Sequence, residues 1–173
     1  GTSWVNEGLL LESEARTNLV TYSNDFTNAA WSKGGVTATA NTTLAPDGEL
    51  SADSLIEDTA TSYHRMSFNT TFPAGPIVGY IHVLKSDTRR LLINMDTGAG
   101  VKALFDISEA GGSVVAVSGS AANAAADIVD MGDYYKCIAY GTTAGGTPYF
   151  WVQLAESTHT TTVDASYTGD GTS

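Results

Sequence analysis

Tyr149-Phe150-Trp151-Val152-Gln153-Leu154 alternates large apolar side chains with polar or aromatic ones at every second position. Successive side chains of a β-strand point to opposite faces, so Phe150, Val152 and Leu154 share one face and Tyr149, Trp151 and Gln153 the other. The same period recurs outward from this stretch. In Arg90-Leu91-Leu92-Ile93-Asn94-Met95-Asp96, Leu91, Ile93 and Met95 fall together, opposite Arg90, Asn94 and Asp96. In Gly79-Tyr80-Ile81-His82-Val83-Leu84-Lys85, Ile81 and Val83 oppose Tyr80 and His82. Burial preferences put the aliphatic faces inward.

Further strands are expected at Leu9–Glu12, Asn18–Tyr22, Val36–Thr43, Ala52–Glu57, Tyr63–Thr70, Val101–Asp106, Ser113–Val117, Ala126–Met131, Tyr134–Gly141 and Thr162–Tyr167. Turn chemistry separates them, as in Ala45-Pro46-Asp47-Gly48, Ala110-Gly111-Gly112 and Met131-Gly132-Asp133. Gly supplies positive φ, Pro pre-sets φ, and Asn or Asp bonds its own backbone. Asn24–Trp31 reads as one helical or 3₁₀ turn, and the Ala-rich run 121–126 as a loop or a strand start. Many short strands between such turns predict an all-β fold, a sandwich or a barrel, in one domain over 1–173.

Composition agrees. Of 173 residues, 42% are hydrophobic and only 16% charged, and 18 are Gly, so the chain can bury a core without staples. The net charge of −11 repels polyphosphate and anionic lipid, which argues against nucleic acid as a partner and against membrane docking. No apolar run has the length of a membrane span. The lone Cys137 lies in a strand-like stretch and reads as an inert buried thiol.

The motifs of common catalytic chemistries are missing: no His-Glu-x-x-His, Gly-x-Ser-x-Gly, Walker loop or Cys-x-x-Cys. The three histidines, His64, His82 and His159, lie in separate segments. Asp96, Asp106 and Asp130 flank strands and are candidates for a glycosidase pair, which needs two carboxyls about 5–10 Å apart and one raised pKa. Ending strands and capping turns is the favoured reading of all three.

Aromatic side chains with polar neighbours are the stronger signal. Sugar recognition needs a flat ring against the C–H face of a pyranose and amide, carboxylate or guanidinium groups for its hydroxyls. Trp151, Gln153 and Tyr149, with Arg90 and Asn94, and with Tyr80 and His82, supply these types on three strands. Their adjacency is not readable from sequence, and simple packing of the aromatics is the alternative. A structural calcium site drawing on Asp25 and Asp164 is a further alternative, although about six to eight oxygens would have to converge from distant segments.

The chain also carries a resemblance. Glu7-Gly8-Leu9-Leu10-Leu11-Glu12, Ala15-Arg16-Thr17-Asn18-Leu19-Val20-Thr21-Tyr22-Ser23-Asn24-Asp25-Phe26, Ala45-Pro46-Asp47-Gly48, Asp130-Met131-Gly132-Asp133-Tyr134-Tyr135 and Tyr167-Thr168-Gly169-Asp170-Gly171-Thr172-Ser173 resemble, in this order, a domain of tailed-phage and prophage tail fibres, tail spikes and head-attached fibres. Gene-transfer-agent spikes are similar. The resemblance implies a two-sheet antiparallel β-sandwich of jelly-roll type, like that of carbohydrate-binding modules, without catalytic residues. It implies adhesion to bacterial surface or capsular polysaccharide at the virion surface, alongside other fibre or spike proteins. A structural connector or homo-oligomerisation module is the alternative, and a polysaccharide-degrading enzyme is less favoured. Such domains usually continue past Gly-Asp-Gly-Thr-Ser into a strand ending Gly-x-x-Leu-Glu. Residues 1–12 have that ending and are expected to fill the strand position, unless the chain is cut short of its natural end.

Overall fold

The computed structural model of the chain describes residues 17–95, 100–146, 149–164 and 166–172. Among them the fold is all-β, with antiparallel pairing throughout and no helix. The strands are β1 (Trp31–Gly34), β2 (Val36–Thr43), β3 (Ala52–Glu57), β4 (Thr61–Ser62), β5 (Arg65–Asn69), β6 (Gly75–Leu84), β7 (Arg89–Asn94), β8 (Val101–Asp106), β9 (Ser113–Gly119), β10 (Ala122–Asp130), β11 (Tyr134–Thr143), β12 (Tyr149–Glu156) and β13 (Tyr167–Thr168). Six form one sheet in the order β1-β5-β12-β7-β8-β9, and three form a second in the order β10-β11-β6. β2–β3 and β4–β13 are separate two-stranded pairs.

Alternation along the strands brings the two larger sheets together. Phe150 and Val152 of β12, Leu91 and Ile93 of β7, and Ala103 and Phe105 of β8 share one buried cluster with Ile77 of β6 and Cys137 and Ala139 of β11. The inner faces of both sheets therefore meet in one core. Trp31 anchors it, its ring centroid 5.2 Å from Phe26, 5.3 Å from Phe68 and 6.2 Å from Phe150. Replacing such a side chain by Ala costs about 3–5 kcal/mol. Cys137 is fully buried and unbridged, and burial pushes its thiol up to about 12.

Backbone punctuation follows residue type. Gly35 at φ 66° turns the chain out of β1 into β2, and a Cβ there would lie 2.6 Å from the Tyr63 carbonyl. Asn41 and Asn123, both at φ 55°, sit within the register shifts of β2–β3 and β10–β11. Asn tolerates this left-handed region better than most residues, and one such residue lets a strand bulge.

Some sequence expectations need correction. Asn18–Tyr22 is not a strand: Asn18 accepts the Val20 N–H at 3.0 Å and donates to Ser23 Oγ at 3.1 Å, local bonds that compete with a ladder. Asn24–Trp31 forms turns, not a helical or 3₁₀ turn, because Asp25 Oδ1 gathers the Thr27 and Asn28 N–H groups and Trp31 already opens β1. Among the described residues of Thr162–Tyr167 only Tyr167 is in a strand; Thr162 and Asp164 bond across to other strands instead. The Ala-rich run resolves as β10 from Ala122 onward. Leu9–Glu12, the strand-filling role of residues 1–12, and Asp96 lie outside the described residues.

Candidate functional site

The face of the six-stranded sheet turned away from the core carries Arg65, Ser67 and Asn69 on β5, Tyr149, Trp151 and Gln153 on β12, and Arg90, Leu92 and Asn94 on β7. Register sets Trp151 between Ser67 and Asn94, Tyr149 beside Asn69, and Gln153 between Arg65 and Leu92. Five of the seven residues singled out from sequence thus share one surface.

The chain after β12 returns across part of that surface. Arg90 donates to the His159 carbonyl and, at 3.2 Å, to Asp106 Oδ2. Thr162 and Ser118 of β9 join through their hydroxyls, and Arg65 donates to Asp164 Oδ2 at 3.3 Å. A second apolar cluster of Leu92, Leu104 and Ala155 lies on this same outer face. Gln153 and Asn94 are each only 1% exposed. The strap thus withdraws Gln153, Asn94 and Arg90 from direct reach of a ligand, a correction to the sequence reading of these three.

Beyond the strap an aromatic strip stays open. The Arg65 guanidinium lies 4.1 Å from the Trp151 ring centroid and 5.0 Å from that of Tyr63, which is 44% exposed. Both contacts are within cation–π range, and Asp164 fixes the same guanidinium from behind. Tyr149, 40% exposed, stands 6.1 Å from Trp151 with its ring tilted by 52°. Beside it an open-sided depression of about 350 Å³ is lined by Asn69, Thr70, Thr71 and Tyr149. The Thr70 hydroxyl donates to the Leu19 carbonyl at 3.1 Å, and Asn69, Thr71 and Tyr149 complete the lining. The arrangement provides tilted aromatic planes, a held cation and short polar side chains, the requirements of a sugar platform.

Tyr63, Arg65 and Asn69 were not singled out from sequence. The alternation in Tyr63–Thr70 contained them, but the pairing of β5 with β12 has no sequence signal. Tyr80 and His82 lie elsewhere. β6 belongs to the three-stranded sheet, and its outward residues face the opposite side of the molecule. There the Tyr80 and His82 rings are 5.8 Å apart, and Lys136 Nζ lies 4.2 Å above the Tyr80 ring. Burial, then the charge of Lys136, lowers the His82 pKa below its ordinary value.

The calcium candidates are engaged within the chain. Asp25 accepts the Thr27 hydroxyl at 2.6 Å and Asp164 pairs with Arg65. Among the described residues no three or more His, Cys, Asp or Glu group to hold a metal. Two carboxylates considered for acid–base work have lowered pKa values. For Asp106, desolvation is outweighed by the Ser108 N–H and Arg90; for Asp130, the Gly132 N–H and then Lys85 lower it. Neither is the raised group a glycosidase acid requires.

The densest polar cluster closes one end of the core. Glu57, with no exposed side-chain surface, accepts from Arg89 Nε at 3.0 Å, from Arg89 Nη2, from the Tyr167 hydroxyl and, at 2.7 Å, from the Asp170 N–H. Burial raises its pKa, but these donors, Arg89 foremost, leave it lowered. Arg89 also holds Asp170 at 2.6 Å, and the Glu57 N–H donates to the Thr172 carbonyl. Gly169 passes so close to the β3–β4 connection that a Cβ would sit 1.9 Å from the Asp58 carbonyl. The Tyr167–Thr172 motif is therefore a latch that anchors the strap. Compared with known proteins, the chain matches no family model and no curated protein.

Proposed function

We propose that this chain is a non-catalytic carbohydrate-binding module of jelly-roll type, serving host-surface adhesion on a phage-like virion fibre or spike. The observation that carries the reading is the strip Tyr63–Arg65–Trp151–Tyr149 beside the Asn69–Thr71 depression. It combines stacking rings with hydrogen-bonding groups on a rigid sheet, where little order has to be gained on binding. The two-sheet core supports the jelly-roll type, and the ordered motifs described above support the virion setting. An acidic surface suits a neutral or cationic glycan, with Arg65 as the local exception. Weak single-site affinity is sufficient, because a particle presents many copies.

The test is an array of bacterial capsular and surface oligosaccharides probed with the domain displayed multivalently. Wild type is expected to bind a restricted set of glycans, and Tyr149→Ala, folded by circular dichroism, to lose it. Equal binding by wild type and Tyr149→Ala removes the strip from the site. Absence of binding to every glycan favours the structural-connector reading.

A further inference from the structure

Tyr63 and Arg65 of the aromatic strip flank His64, which faces the other way and is fully buried. The His64 ring centroid lies 4.5 Å from that of Tyr167, and Nε2 lies 3.2 Å from Asp58 Oδ1. Two glycines make room for the ring. A Cβ on Gly35 would lie 3.1 Å from the imidazole Cδ2, and one on Gly169 would lie 2.8 Å from Nε2. Nδ1 has no hydrogen-bond partner among the described residues. A buried polar atom left unpaired is costly, so the shape of the socket holds this imidazole as much as hydrogen bonding does. One wall of the socket belongs to the latch: Tyr167 pairs with Ser62, and the Gly169 N–H donates to the Ala60 carbonyl at 3.2 Å.

Alternation carries the position of His64 to its neighbours. With residue 64 pinned inward, Tyr63 and Arg65 point outward. The His64 carbonyl accepts the Leu154 N–H at 2.9 Å, which ties this stretch to β12 three residues from Trp151. Arg65 is thereby presented to the Trp151 ring at 4.1 Å. The strap supplies a second hold on the same side chain, through Asp164 at 3.3 Å, three residues before Tyr167. Loosening the latch would therefore release Tyr63 and Arg65 from two directions.

We infer that His64 is a positioning residue of the strip: its socket under Tyr167 and Gly169 sets Tyr63 and Arg65 in their binding arrangement, so the latch governs glycan affinity. This role rests on the strip being the sugar platform, and His64, without exposed surface, acts only through its two neighbours. Coupling of this kind is reciprocal, so glycan held by Tyr63 and Arg65 tightens the latch.

NMR of the full chain, with and without purified capsular polysaccharide, tests the coupling. In wild type the Arg65 Nε–H signal is expected to carry the ring-current shift of Trp151. His64→Ala, folded by circular dichroism, is expected to lose that shift and to bind the polysaccharide about tenfold more weakly, the cost of ordering two side chains on binding. Tyr167→Phe keeps the ring over His64 and gives up only the hydroxyl bond to Glu57, so it is expected to lose stability while retaining both the shift and the affinity. If His64→Ala does not fold, Tyr167→Leu, which takes the ring from one wall of the socket, replaces it with the same expectation. Saturating polysaccharide is expected to slow exchange of the Gly169 amide in wild type. An unchanged Arg65 shift in the folded His64→Ala overturns the inference. So does a Tyr167→Phe that loses shift or affinity as His64→Ala does, or a Gly169 amide that saturating polysaccharide leaves unchanged. The Arg65 signal needs no ligand, so a wild type that binds no glycan removes the platform reading while the shift still decides whether His64 positions the strip.

Discussion

The two outward faces of this fold share the same alternation and differ in what lies on them. On the six-stranded sheet, polar and aliphatic side chains such as Gln153, Asn94, Leu92 and Leu104 are buried, because the chain after β12 returns over them and is latched at Glu57. On the three-stranded sheet, Tyr80, Val78 and Tyr140 stand in solvent. The exposed face is the more apolar of the two and the covered face the richer in ion pairs. Burial in this protein is therefore decided by chain routing as much as by residue type. The aromatic strip stays open on the covered sheet only at its β5–β12 end, where the strap reaches no farther than Arg65 and Asp164.

The comparison is broken most severely at the latch. Glu57→Ala leaves the largely buried Arg89 guanidinium with only Asp170 as its acidic partner, and loss of one member of a buried pair costs about 3–5 kcal/mol. Urea unfolding should show this loss, and limited proteolysis should cut first after β12. A smaller loss, about 1.5–3 kcal/mol, is expected for Arg90→Ala, which removes charged hydrogen bonds to the His159 carbonyl and to Asp106 from the covered face. Tyr80→Ser on the bare face should stay within about 0.5 kcal/mol in the same unfolding experiment. A Tyr80→Ser cost equal to that of Arg90→Ala would contradict the division between faces.

Acid should act on the same division. The folded pKa of Glu57 is lowered, and that of Asp170 is lowered to about 2, first by the Thr172 hydroxyl and then by Arg89. A depressed carboxylate contributes stability that is complete above its unfolded pKa and is lost as pH falls through the folded value. The latch should therefore hold at neutral pH and weaken below about pH 4. Hydrogen exchange from neutral to acid pH should show protection lost first at Gly169 and Asp170, before the β7–β8 core.

Legibility followed the range of the interactions. Val36–Thr43, Ala52–Glu57 and Val101–Asp106 were read to the residue, because alternation and turn chemistry are local. β1 was missed: at four residues it is held by Trp31 packing on Phe68 and Phe150, contacts distant in sequence. In the candidate site, Trp151 and Tyr149 were singled out by their alternation in β12. Tyr63, Arg65 and Asn69 were not, since they join through strand order. Gln153, Asn94 and Arg90 were read as outward, which they are, but a strap of irregular backbone has no periodicity to announce it. The Tyr167–Thr172 motif was visible, while its partner Glu57, 110 positions from Tyr167, was not.

The central claim is that sugar binds the aromatic strip and not the bare face. Its most direct test is binding of multivalent protein to encapsulated bacteria and purified capsular polysaccharide by wild type, Tyr149→Ala and Tyr80→Ala in parallel. The account predicts that Tyr149→Ala abolishes binding while Tyr80→Ala retains it. Binding lost in Tyr80→Ala but kept in Tyr149→Ala, or no binding by wild type, would contradict it.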